Sequence, residues 1–401
     1  SFLILGFTQG LTTGFTVLTA QRFGAGDREG MRKSIGSAAI LSVIVTIVMT
    51  AVSMVSMDSL LQVMNTPEDI FDMTKEYIMI ICAGIACNVF YNLLSSILRA
   101  IGNSVVPLVL LVIASVTNIV LDYVLIVYGH MGVGGAAYAT IISQGLSGVL
   151  CLIYIIKRVP TLHIRPEHCR LESQCVKNQL TVGIPMALQF SITASGAMVM
   201  QAAINLFGSV AVAAFTAASK VQSLVTQGMM SMGQTMASYG GQNYGKGDYH
   251  RLEKGVRSAL LISVIYSLLA AAAVGLFLRP LLSLFFSGDI DIASLMPWAK
   301  TYIYMCAVFY IPLSTIFIFR NIMQGCGYSF LPMMGGVAEL FARMITALIA
   351  MKLVSFPLAC FCDPAAWVGA ALFTGFSWLS VKKKLRASLL PEDTSSSSEA
   401  K

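Results

Sequence analysis

Two glycine loops of this chain spell nearly the same phrase, and both stand between apolar runs long enough to cross a bilayer. They are Gln21-Arg22-Phe23-Gly24-Ala25-Gly26-Asp27 and Gln242-Asn243-Tyr244-Gly245-Lys246-Gly247-Asp248. The echo continues downstream, where Gly102 with Pro107 recurs as Gly327 with Pro332. The run Gly132-Val133-Gly134-Gly135-Ala136-Ala137-Tyr138-Ala139-Thr140 likewise recurs as Ala366-Trp367-Val368-Gly369-Ala370-Ala371-Leu372-Phe373-Thr374. Segments that repeat order, spacing and turn chemistry predict two copies of one helical unit.

The repeats keep their direction, so the halves are expected to be parallel copies related by an axis along the membrane normal, a plan common among secondary transporters. The hydrophobic fraction is 56% and the charged fraction 11%, with a mean hydropathy of +0.77. A soluble domain carries about a quarter charged residues, so the composition predicts an all-α integral membrane protein. Spans of about 20 apolar residues can be read near 1–20, 35–57, 77–98, 105–128 and 133–156. The second half offers 180–207, 211–239, 256–278, 298–323, 330–353 and 365–381. That makes eleven helices, five against six. If the Gln21 loop aligns with the Gln242 loop, the helix at 180–207 has no counterpart, and a first helix is expected upstream of Ser1.

The basic residues divide among one set of connections, including Arg22, Arg28, Arg32 and Lys33, then Lys157 through Lys177, then Lys246, Arg251 and Lys254, then Lys382, Lys383, Lys384 and Arg386. The opposite set carries little beyond Lys75 and Arg279. The positive-inside rule puts the first set in the cytoplasm of a multi-pass cell-membrane protein. The net charge of +7 thus reflects topology and does not call for nucleic acid. The expected domains are an N-terminal lobe at 1–156 (helices 2–6), a cytoplasmic linker at 157–178, a C-terminal lobe at 179–381 (helices 7–12) and a basic, then Ser-rich, disordered tail at 382–401. His163, His168, Cys169 and Cys175 cluster in the linker but lack zinc-finger spacing. No cofactor, and no metal beyond a possible Na⁺, is expected.

Ionisable groups at membrane depth are functional candidates because their burial is expensive. Asp122 stands out, with Asn118 one turn before it on the same face. Asp122 lies seven residues before Gly129 and Thr140 eight residues after Gly132, so on straight helices both sit about 10–12 Å below one surface. A carboxylate with amide and hydroxyl neighbours can hold Na⁺ through hard oxygens, bind a proton, or serve as a structural clamp. In the second half, Glu339 and Arg343, one turn apart, either neutralise each other or form a second site. Gln189 and Lys220 are further candidates there. Met198, Met200 and Met229 read either as core filling or as an adaptable cavity wall. No nucleophile or acid–base group stands at membrane depth beside a histidine, which argues against an enzyme.

The ordered set Gln21-x-x-Gly24-Ala25-Gly26-Asp27, Arg99-Ala100-x-Gly102-x4-Pro107, Asn118-x-x-Leu121-Asp122, and Gly132-Val133-x-Gly135-Ala136-Ala137-x-Ala139-Thr140 resembles the multidrug and toxic compound extrusion (MATE) family. The resemblance implies two six-helix bundles and alternating access. It implies export of organic cations or amphipathic drugs in exchange for Na⁺ or H⁺, by a protein acting as a monomer in membrane lipid. In the DinF-like branch it places Asn118, Asp122 and Thr140 in an ion network. An alternative within the same superfamily is a flippase for a lipid-linked or polyanionic substrate, for which Lys220, Arg320 and Arg343 would supply cationic charge.

Overall fold

The computed structural model of the chain describes residues 2–63, 68–283, 285 and 292–390. Among them every regular element is helical, as the composition predicted. In chain order the α-helices are α1 (Phe2–Gly24), α2 (Arg28–Val63), α3 (Glu68–Ala83), α4 (Ile85–Ala100), α5 (Val105–Tyr123), α6 (Gly132–Arg158) and α7 (Ser173–Ile204). Then follow α8 (Gly208–Lys246), α9 (Tyr249–Ser283), α10 (Ile292–Val308), α11 (Tyr310–Gly325), α12 (Phe330–Leu353), α13 (Phe356–Cys360) and α14 (Cys362–Leu389). Seven described stretches are long and apolar enough to cross a membrane, one of them, Ser173–Lys246, covering both α7 and α8, and two bent pairs bring the number to nine. The opening helix α1 carries Thr8, Gln9, Thr12, Thr13, Thr16 and Thr19 within its apolar run.

The sequence repeat is also a backbone repeat. Gly26 and Gly247 end their helices in the left-handed region, with φ of 73° and 76°, and Gly102 and Gly327 do the same at 91° and 89°. An L side chain is strained at those angles, so the turn dictates glycine. The residue after each loop caps the next helix. Asp27 Oδ1 accepts from the Gly30 N–H at 2.8 Å, and Asp248 Oδ1 accepts from the Arg251 N–H at 2.9 Å, which satisfies donors that a helix start leaves open.

Two spans read as single helices are broken. The pair α3 and α4 bends by 44° at Gly84, and α10 and α11 by 53° at Phe309. The second break has a covalent cause: Pro312 has no N–H for the Val308 carbonyl, and its ring crowds that carbonyl. Pro280 acts likewise inside α9, where Phe277 leaves helical geometry at φ −112°, ψ 17°.

The chain divides into two compact units, Ser1–Ser191 and Ile192–Lys401. The division falls inside α7. The reason is close backbone packing: a Cβ on Gly10 would lie 2.7 Å from Ala187 Cα, and one on Gly14 would strike Gly183. The first half of α7 is therefore held on α1 by small residues, as apolar helices pack in lipid. The 157–178 segment is itself pinned to α2, with His168 only 2% exposed. Its Nδ1 accepts from the Arg165 N–H at 2.8 Å, which leaves Nε2 to face Glu29 at 3.1 Å. The histidine is thus a clasp for the connection, and among the described residues no group of three or more metal-binding side chains forms.

Candidate functional site

In the first unit, α5 turns a sharply two-sided surface to its surroundings. Val105, Val112, Val116 and Ile119 are exposed, while Pro107, Leu110 and Ala114 are buried. Lipid suits the first face, and the second continues into Asn118 and Asp122, both half-buried. Directly beyond them the helix changes to a π-helical segment, Val124–Tyr128. Such segments are rare and recur at functional sites, and no residue type in the run announces this one.

Helix α6 packs along α5, and two contacts set the register. The Ser147 hydroxyl donates to the Leu110 carbonyl at 3.1 Å, and a Cβ on Gly135 would lie 3.3 Å from the Leu125 carbonyl carbon. Between these anchors Thr140 comes level with the turn of Asn118. Asp122 follows one turn beyond Asn118 on the same face of α5.

The polar atoms of this pair of helices are unusually open. Asn118 Nδ2, Asp122 Oδ1 and Gln144 Oε1 are buried and have no hydrogen-bond partner. The Thr140 hydroxyl donates to the Ala136 carbonyl at 3.0 Å, so its oxygen lone pairs stay available. Buried polar atoms are nearly always partnered, and those that are not call for an explanation. Gln144 belongs to this polar stripe and escaped the sequence reading because it carries no charge; its spacing of one turn from Thr140 was the available signal. On α4, Asn92 Nδ2 donates to Asn88 Oδ1 at 2.9 Å, a second polar pair within an apolar helix.

The second unit answers with a charged network. Arg320 on α11 donates to Glu339 Oε2 at 3.2 Å, and Arg343 donates to Glu339 Oε1 at 3.2 Å. Arg343 also reaches Asp363 Oδ1 on α14 at 2.9 Å, and the Tyr302 hydroxyl on α10 donates to Asp363 Oδ2 at 2.9 Å. All of these side chains except the tyrosine are charged, two of each sign, so the network is neutral. Neutralisation of Glu339 by Arg343 was one of the two readings of the sequence; Arg320 and Asp363 complete the network from helices distant in sequence. Arg343 stands eleven residues after Pro332, as Asn118 stands eleven after Pro107. The two units thus place polar groups at one station of the repeat; in the second they pair with one another, although the Nε atoms of Arg320 and Arg343 keep no partner.

The remaining candidates separate. Gln189 is buried and lies in the first compact unit. Lys220 is exposed on α8. Met200 and Met229 are each 2% exposed inside the core of the second unit, so an adaptable wall rests on Met198 alone, which is 51% exposed.

The family model MatE matches residues 1–124 and 185–361. The chain belongs to the MatE family. A "Probable multidrug resistance protein YpnP" of Bacillus subtilis is 28% identical over 324 residues, covering 81% of this chain and 72% of that protein. A "Probable multidrug resistance protein NorM" of Thermotoga maritima is 25% identical over 362 residues, covering 89% and 76%. A crystal structure of MATE in the bent conformation superposes with a TM-score of 0.87 at 23% identity, over 96% of this chain and 86% of that one. The fold is therefore that of these all-α membrane transporters, and this MatE member is a multi-pass cell-membrane transporter, not an enzyme.

Proposed function

We propose that this transporter exports organic cations or amphipathic drugs by alternating access, in exchange for Na⁺ or H⁺ bound at Asp122 with Asn118 and Thr140. The observation that carries the reading is the open valence of Asp122 Oδ1 and Asn118 Nδ2 at buried positions. An ion drives a conformational exchange only through its different affinity for the two states. A carboxylate in a low-dielectric site fits that requirement, since a cation or proton there offsets a burial penalty worth several kcal/mol. Drug export is what the names of the YpnP and NorM relatives suggest.

The flippase alternative keeps only Lys220 as cationic support, because Arg320 and Arg343 are neutralised by Glu339 and Asp363. The test is ethidium efflux from cells expressing the protein, under an imposed Na⁺ gradient and then a proton gradient. Efflux that follows one gradient and disappears with Asp122→Asn supports the assignment. Efflux unchanged by that substitution sinks the role of Asp122.

A further inference from the structure

Cations are scarce at the membrane face opposite the basic loops, yet two of them converge on one cavity there. The cavity has a volume of about 630 Å³ and is walled by the end of α9 and the start of α10. It is lined by Arg279, Lys300 and Tyr304 together with apolar groups that include Leu278, Met296 and Pro297. That volume lies within the ordinary range for small-molecule sites. Among the described residues no carboxylate lines it. Arg279 and Lys300 are exposed and neither takes part in an ion pair among the described residues, although both lie where the positive-inside rule disfavours them.

The opening has a backbone cause. Pro280 breaks α9 at Phe277, and the Gly275 carbonyl nearby accepts from the Tyr304 hydroxyl at 3.3 Å. Below the cations the surface is greasy, with Leu276 78% and Phe277 57% exposed. Trp298, stacked edge-on against Phe356 at 4.6 Å, and Tyr304 are the aromatic types that mark the headgroup level of a bilayer. A guanidinium, an ammonium and a phenol above an apolar shelf match one ligand chemistry: a phosphate diester attached to acyl chains.

We infer that this cavity binds the headgroup of an anionic phospholipid, with Arg279 and Lys300 on the phosphate and the acyl chains on Leu276 and Phe277. The site is separate from the ion-coupling residues and does not depend on the transport reading.

The experiment is native mass spectrometry of the purified, delipidated protein after addition of phosphatidylglycerol or of phosphatidylcholine with the same acyl chains. Wild type is expected to retain phosphatidylglycerol about tenfold better, and Arg279→Gln with Lys300→Gln is expected to abolish that preference. Lys352→Gln, which removes an exposed cation at the same face from α12, is expected to keep it and so excludes a net-charge effect. Both cations are exposed, so the double variant is expected to melt as wild type does. A double variant that retains the preference overturns the inference. So does displacement of the lipid by inorganic phosphate alone, which would mark a soluble-anion site.

Discussion

Arg343 and Asp363 meet at 2.9 Å across the gap between α12 and α14, at a point where Arg343 is also bound to Glu339. A single guanidinium therefore holds two carboxylates on two helices, while Arg320 and Tyr302 anchor the same carboxylates to α11 and α10. Those two helices flank the 53° break at Phe309, so the network ties both sides of the bend to α12 and α14.

Removing one partner of a buried pair leaves an uncompensated charge, which is more damaging than losing both. Arg343→Met is expected to destabilise the protein by about 3 kcal/mol or more. Replacing Arg343, Glu339, Arg320 and Asp363 together by apolar residues of similar volume should be less damaging. Thermal unfolding in detergent measures both, and a quadruple variant worse than the single one would refute the charge argument.

Gly196 lies against Arg343, where an added Cβ would collide with the guanidinium. In an open helix Gly→Ala stabilises by about 1 kcal/mol. Here Gly196→Ala is expected to destabilise by about 1–3 kcal/mol, as overpacking does. The sign of the change in melting temperature decides between them.

Thr140→Val keeps the shape of the side chain and removes the lone pairs offered to a cation beside Asp122. If Na⁺ is the coupling ion, half-saturating Na⁺ for efflux is expected to rise about tenfold, equivalent to about 1.4 kcal/mol. If a proton is, Thr140→Val should leave the pH dependence of transport near that of wild type. A full loss of protein from the membrane would instead make Thr140 structural.

Asp27 and Asp248 cap the helices after the two repeat loops, and replacing either by Ala is expected to cost about 1 kcal/mol. The Gly30 N–H, followed by Arg22, holds the Asp27 carboxyl below its ordinary range against an opposing effect of burial. A carboxylate with a lowered folded pKa stabilises at pH values above its unfolded pKa, about 3.9, and the contribution is lost as pH falls through the folded value. The stability gap between wild type and Asp27→Asn, which keeps a capping oxygen, should therefore narrow below about pH 4. Chemical unfolding at pH 7 and pH 3 provides the comparison.

Much of the architecture was legible because it is written locally. Apolar length fixes where helices can run, and Gly26, Gly102, Gly247 and Gly327 mark turns that only left-handed backbone allows. Pro312 carried the α10–α11 break in plain view, since a missing N–H acts within its own helix. Asp122 stood out as a candidate in the same way, as a charge where lipid tolerates few.

What only the tertiary structure decided concerns partners across helices. Hydropathy tells that a helix is buried but not how it is rotated or where along its neighbour it sits. Rotation and register brought Asp363 to Arg343, left Asn118 and Asp122 with open valences, buried Met200 and Met229 while exposing Met198, and joined Arg279 to Lys300 in one cavity. The π-helical segment after Asp122 and the division of α7 at Ser191 belong to the same class. Each is the outcome of packing among several helices at once, and that balance of contacts is a property of the folded chain, not of any segment within it.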